Sequence, residues 1–423
     1  MPNSSMDYIN FLGGSAGQYG PQGPDPPAQE LTQEEQIERI VQHFENVNEV
    51  FIQKVAAQIA RVGELIPSSM HMVEIMASIN EDIAEINARL AAATQMATSE
   101  LYGLYNKALN DEYESPRFRR AIEETPLPEM DRKRIENYTQ FVARQTAGTM
   151  QNLSNTTIQS EQYRQAIDKA IVATNTGGTD YKSMVRQTVR DIGYAGMQIQ
   201  YPSGYHRRLD TAVRQNIVDG AKQITQQASR MIGEALDYNA VELSAHLASA
   251  PDHEPVQGRV FLLEQFERMQ AGEDFTDADG NHYAGFRRPI GEWNCMHLIR
   301  SFDTEYSKRR YTDQQLSEWA KNNADGCEIN GKHYTLYEAR QRLRQIETAI
   351  RREKDTAIAA EAAGDDILRE QCQYRINNLY DSYRQSAKAS GFKPRYDRAS
   401  VDGFHAVKVN KTSTKGTGKR QTA

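Results

Sequence analysis

From Thr32 onward the apolar residues recur three and four positions apart. Ile37, Ile40, Val41, Phe44, Phe51, Val55, Ile59 and Val62 fall on one face of a helix. Thr32, with Glu34 and Glu35 behind it, has the form of a helix start, an oxygen-bearing cap followed by acids in the first turn. Gly63 and Pro67 interrupt the pattern, and a second stripe runs through Ile75, Ile79, Ile83, Ile86 and Leu90. After the break at Pro126 and Pro128 a third runs through Ile135, Tyr138, Phe141 and Val142. Strand-like alternation is scarce here, so residues 32–159 are expected to form a module of long helices.

From about Ser160 the texture changes. Tyr163 to Val172, Tyr181 to Ile192 and Leu209 to Leu236 keep helical spacing, with Val213, Ile217, Ile224 and Met231 on the last stripe. Tyr201-Pro202-Ser203-Gly204 is a turn. Asp279-Gly280-Asn281 lies between Phe275 and Tyr283, and Asn330-Gly331 between Ile329 and Tyr334. Such dipeptides suit the positive φ angles of tight hairpins. Val260-Phe261-Leu262-Leu263 supplies a further short strand. Residues 160–336 therefore read as an α+β core. Residues 337–402 return to helix, with apolar faces marked by Leu343, Ile346, Ile350 and Ile358, then Ile367, Tyr374, Leu379 and Tyr383. A turn near Gly364-Asp365 makes this an antiparallel pair. The expected fold is mainly α with a smaller α+β core: long N-terminal helices, a central domain with short hairpins and a C-terminal helical pair.

Composition adds the two ends. Residues 1–31 are rich in Gly, Pro, Ser and Gln, which bury too little apolar area to offset the entropy of ordering, and are expected to be a disordered arm. Residues 403–423 form a basic tail of similar character, with Lys411, Lys415, Lys419 and Arg420 open to contact with DNA or an acidic partner. The chain has 423 residues, 39% apolar and 25% charged, with a net charge of −7. Residues 1–130 carry about 20 acidic and 8 basic side chains, near −12, which leaves the remainder near +5. An acidic helical module is thus joined to a mildly basic one. Three cysteines exclude a disulfide scaffold. No apolar run reaches the roughly 18–20 residues of a membrane span, and the first 30 residues lack the pattern of a signal peptide.

The reactive side chains concentrate in the middle segment: Ser244-Ala245-His246, Pro251-Asp252-His253, Gln257-Gly258 and Trp293-Asn294-Cys295-Met296-His297. Cysteine and histidine are ligand types for zinc, and His246, His253, Cys295 and His297 would complete a tetrahedral set. The same side chains can instead form a hydrogen-bonded cluster at a tight junction, with Ser244, Gln257, Gly258 and Asn294 as its structural surround. Catalytic readings pair Cys295 or Ser244 with a histidine, or place a zinc-dependent hydrolase on the cluster, with Glu242, Asp252 or Glu254 as acid or base. No Gly-x-Ser-x-Gly elbow, His-Glu-x-x-His helix or phosphate loop accompanies them.

These segments carry a resemblance. Glu242-Leu243-Ser244-Ala245-His246, Pro251-x-His253, Gln257-Gly258-x-Val260-Phe261 and Ile290-Gly291-Glu292-Trp293-Asn294-Cys295-x-His297 resemble the phage minor capsid protein 2 family, relatives of the phage Mu head-morphogenesis protein F. The likeness runs from about Ser160 to about Gly403. The chain departs from the family pattern at Leu247-Ala248-Ser249, where a Gly-Ala-Arg type stretch is usual, at Val256, where tryptophan is usual, and at Met296, where arginine is usual. The resemblance implies a non-enzymatic virion component near the portal vertex, present in multiple copies but few per particle, that assists head assembly and DNA packaging or ejection. It implies the portal and major capsid proteins as partners, packaged viral DNA as a possible contact, and a location in the phage head after assembly in the bacterial host cytoplasm. A toxin or effector carrying a Mu-F-like domain is the alternative that the resemblance leaves open.

Overall fold

The structure, a computed structural model, describes residues 32–64, 69–175, 181–277, 280–291 and 295–408. The arm at 1–31, Asp279, Asn294 and the lysine-rich end from 409 lie outside the described residues. Eleven helices and nine short strands are described.

The first stripe becomes α1 (Gln33–Glu64). Thr32 and Glu35 cap it reciprocally: the Glu35 amide donates to the Thr32 hydroxyl at 3.2 Å and the Thr32 amide to the Glu35 carboxylate at 2.8 Å. The second stripe extends further than its five isoleucines and leucines, giving α2 (Ser69–Tyr113). Then follow α3 (Arg119–Glu124), α4 (Glu129–Asn155), α5 (Gln159–Asn175) and α6 (Tyr181–Ala195). A hairpin of β1 (Gln198–Gln200) and β2 (His206–Arg208), closed by the Tyr201–Gly204 turn, leads into α7 (Leu209–Ala235). Helix α1 lies against α2, α5, α6, α7 and, much later in the chain, α10 (Leu336–Ala362). One apolar cluster runs through all of them, from Ile37 to Cys372, with Phe44, Phe51, Leu101, Tyr105 and Tyr163 at its centre. It crosses the boundaries expected at 159/160 and 336/337.

The α+β part is built on β3 (Ala240–Leu243), β4 (Val260–Leu262) and β7 (Ile299–Phe302), a three-stranded antiparallel sheet in the order β4-β3-β7. Val241 pairs with Phe261 on one side and with Ser301 on the other. Every residue of β3 is buried, so the strand has no polar alternation to betray it in the sequence. The sheet backs onto α7, where Ser229 accepts a hydrogen bond from the Ser301 amide at 3.0 Å. Gly233 allows that approach: a Cβ there would stand 2.4 Å from the Ser301 side chain. Helix α8 (Leu263–Gln270) covers the far side with Phe266 and Met269, and these join Leu243, Val256, Phe286 and Cys295 in a second core. The two hairpins read from the sequence are present as β5 (Phe275–Thr276) with β6 (His282–Tyr283), and β8 (Cys327–Ile329) with β9 (Lys332–Tyr334). Asn330 and Gly331 both take positive φ.

Helix α9 (Asp313–Asp325) precedes the second hairpin. Helix α10 starts at a capping box of Thr335 and Glu338, and α11 (Asp366–Ser390) starts at an Asp365 cap and ends at a left-handed Gly391. The two pack as the expected antiparallel pair. Ile367 and Tyr374, however, are exposed; the buried face of α11 is Leu368, Cys372, Ile376 and Tyr383.

Ion pairs tie the parts together. Arg208, at the start of α7, donates to Asp355 of α10 at 2.6 Å and to Asp210 at 3.2 Å, with all three side chains buried or nearly so. Arg117 and Arg300 join the end of α2 to the sheet: Arg117 pairs with Glu242 and donates to the Ser301 carbonyl at 3.0 Å, and Arg300 lies 3.2 Å from the buried Glu112. No described helix is long and apolar enough to cross a membrane.

Candidate functional site

Two irregular segments meet beside the three-stranded sheet. The first leaves β3 at Ser244 and turns back through 251–258 to β4. The second holds Cys295 and His297 and leads into β7. Ser244 ties them: its amide donates to the Leu298 carbonyl at 2.9 Å, and its hydroxyl accepts from the Leu298 amide at 2.8 Å. Gln257 reaches across the first segment and accepts from the His246 amide at 3.0 Å. Gly258 takes φ +67°, and a Cβ there would meet Leu316 at 2.6 Å, so glycine alone fits both the backbone and the space.

This scaffold brings His253, Cys295 and His297 together. Their exposures are 1%, 2% and 2%. The Cys295 Sγ lies 3.4 Å from Nδ1 of His253 and 3.4 Å from Nδ1 of His297. The outer nitrogens are also held. His253 Nε2 is 2.8 Å from the Arg288 carbonyl, and His297 Nε2 is 3.3 Å from the Ser249 hydroxyl and 3.4 Å from Gln257 Oε1. His246, the fourth ligand expected from the sequence, is placed differently. Its ring stacks on that of His297 with centroids 4.7 Å apart, and it is not among the three residues whose ligand atoms lie within 4.8 Å of one another.

The electrostatics follow from this geometry. Burial pushes the Cys295 thiol up, but hydrogen bonds from His253 and His297 and from the backbone at Gly291 and His297 outweigh it and bring it down to about 5. Burial disfavours the charged form of His253, and its bonds to Cys295 and to the Arg288 carbonyl reverse the balance and raise its pKa. The shared hydrogen bond thus favours the charged forms of both Cys295 and His253. Burial, helped by His297, Arg340 and Arg344, lowers His246 to about 4 and keeps it neutral. Lys222 of α7 donates to the Cys295 carbonyl at 2.7 Å and fixes the segment to the helical body.

The profile of the phage minor capsid protein 2 family matches residues 29–387. The chain belongs to that family. No curated protein and no solved structure matches it significantly. As a member of the minor capsid family it is a phage structural protein and a component of the virion. The family match includes the N-terminal helices as well as the segments around His253 and Cys295.

The other sequence candidates resolve as follows. Glu242 is held by Arg117 and by the Arg310 amide at 2.7 Å, Asp252 by Arg288 at 3.0 Å, and Glu254 by Asn323 at 2.7 Å, so each is committed to a structural partner. Lys411, Lys415, Lys419 and Arg420 lie outside the described residues, as does Asn294. The sequence reading missed Ser249 and Arg288. Their part depends on a hydroxyl and a backbone carbonyl brought close by folding, and neither has a spacing that could announce it.

Proposed function

We propose that this virion protein sits inside the phage head near the portal vertex, in few copies, contacting the portal and major capsid proteins and assisting head assembly and the packaging or ejection of DNA. Membership of the minor capsid family over residues 29–387 carries the reading. The charge division supports two different contact surfaces, an acidic helical face toward protein and a more basic one toward DNA. An open hollow of about 490 Å³ beside β2 and α10 fits the second role. Its lining includes His206, Arg207 and Arg352, together with Arg208 and Arg351, whose charges are shared with Asp210, Asp355 and Glu45. Lys411, Lys415, Lys419 and Arg420 enter the same reading as a further DNA contact.

The protein acts without catalysis in this reading. Cys295 and its two histidines lie within the second core, where a substrate has no approach to the sulfur among the described residues, and the nearby carboxylates are already paired. Deleting the gene from the phage tests the proposal. Heads formed without the protein should be misassembled, underfilled or unable to deliver DNA. Fully packed, infectious particles lacking the chain would overturn it.

A further inference from the structure

We propose that His253, Cys295 and His297 form a zinc site that clamps the 251–258 turn to the segment entering β7. A zinc ion with bonds of about 2.3 Å to sulfur and 2.0–2.1 Å to nitrogen places a tetrahedral S and N about 3.5 Å apart. The two S···Nδ1 distances are both 3.4 Å, and all three ligand atoms lie within 4.8 Å of one another. Both histidines turn the same nitrogen toward the sulfur.

The surround is that of a metal site as well. A ligating histidine usually fixes its ring by hydrogen-bonding through the other nitrogen to a carbonyl, carboxylate or water. His253 does so with the Arg288 carbonyl, and His297 with Ser249 and Gln257. The donor set of one soft thiolate and two imidazoles suits zinc, whereas calcium and magnesium take oxygen.

The fourth position goes to a water. His246 supplies what such a water needs: its Nδ1 is directed at the Leu247 carbonyl at 3.3 Å, and its Nε2 is buried with no hydrogen-bond partner among the described residues. That nitrogen is an acceptor waiting for a donor, and a metal-bound water is one. The zinc adds a second tie between two segments that Ser244 and Leu298 already join at the sheet edge, and it does so in a core of nine buried apolar side chains that includes Cys295 itself. This site is independent of where the protein stands in the virion, so its failure would leave the portal-vertex reading intact.

The full-length protein, produced with zinc in the medium and purified without chelator, is assayed for metal by plasma mass spectrometry and then exchanged with cobalt(II). About one zinc per chain is expected. The cobalt form should show a thiolate-to-cobalt charge-transfer band and the intense visible bands of tetrahedral coordination. C295S should lose the charge-transfer band, and Ser249→Ala should weaken zinc binding by roughly 10- to 100-fold while circular dichroism stays unchanged. If C295S fails to fold, the wild-type cobalt spectrum still decides. A folded wild-type protein that takes up no zinc and gives no thiolate band overturns the site, as does a cobalt spectrum that survives C295S.

Discussion

Single residues in this chain act mainly by closing contacts between distant segments. Gly258 is one case. Alanine there meets a left-handed backbone and the Leu316 methyl at once, so Gly258→Ala should destabilise the protein by about 2–4 kcal/mol in chemical denaturation. Arg208 is another. It is the cation shared by the buried Asp210 and Asp355, and Arg208→Met would leave both carboxylates short of a partner. A loss of about 3–5 kcal/mol is expected, with the protein still helical under mild conditions. Glu45 gives the group a pH dependence. Burial first and the neighbouring Asp210 second raise its pKa to about 7, against the pull of Arg351 and Arg214. Its contribution to stability is complete below the ordinary carboxylate range and is lost as pH rises through about 7. Glu45→Gln should therefore match the wild type near pH 4 and exceed it in melting temperature at pH 8. The sequence made the reactive cluster visible through residue type: histidine and cysteine are few, and here they crowd together. It could not show that His246 stacks rather than points inward, nor that Ser249 and the Arg288 carbonyl hold the rings. Those facts depend on how two irregular segments meet.

The helices were legible for a physical reason. A helix buried on one side must repeat its apolar residues every three to four positions, and α1, α2 and α7 do so over many turns. Tight hairpins were legible because positive φ restricts the residues that can turn them, as at Asn330-Gly331. Strands β3 and β7 were not. They are four residues long, and β3 is buried throughout, so neither length nor alternation marks it. Of the apolar residues that mark α11 in the sequence, Tyr383 is buried and Leu379 partly so, whereas Ile367 and Tyr374 are exposed; the rest of the packed row is Leu368, Cys372 and Ile376, with a thiol taking a place that an aliphatic side chain would have announced. Packing also bears on the modules drawn from the sequence. Arg351 of α10 reaches Glu45 of α1 at 3.2 Å, and the apolar cluster passes between those helices. A fragment starting at Ser160 would expose the faces of α5, α6, α7 and α10 that α1 covers. We expect it to lack cooperative unfolding by circular dichroism and calorimetry; a sharp, reversible transition in that fragment would show that residues 160–423 form an independent unit.

At the scale of the whole molecule, charge and family membership meet. The proposed DNA contact needs cationic surface on a chain whose net charge is −7, and the hollow carrying Arg207 and Arg352 is the surface proposed for it. Replacing Arg207 and Arg352 together by alanine should lower affinity for double-stranded DNA without regard to sequence, and should reduce the slope of log affinity against log salt by about 2. The same surfaces have to be satisfied in the particle. The measurement that tests this most directly is an asymmetric cryo-electron microscopy reconstruction of the mature virion. The account predicts density for the α1–α11 body at a few positions on the inner side of the portal vertex, with the arginine-lined hollow turned toward DNA. Density spread over the icosahedral shell, or particles that contain none of the chain at that vertex, would contradict it.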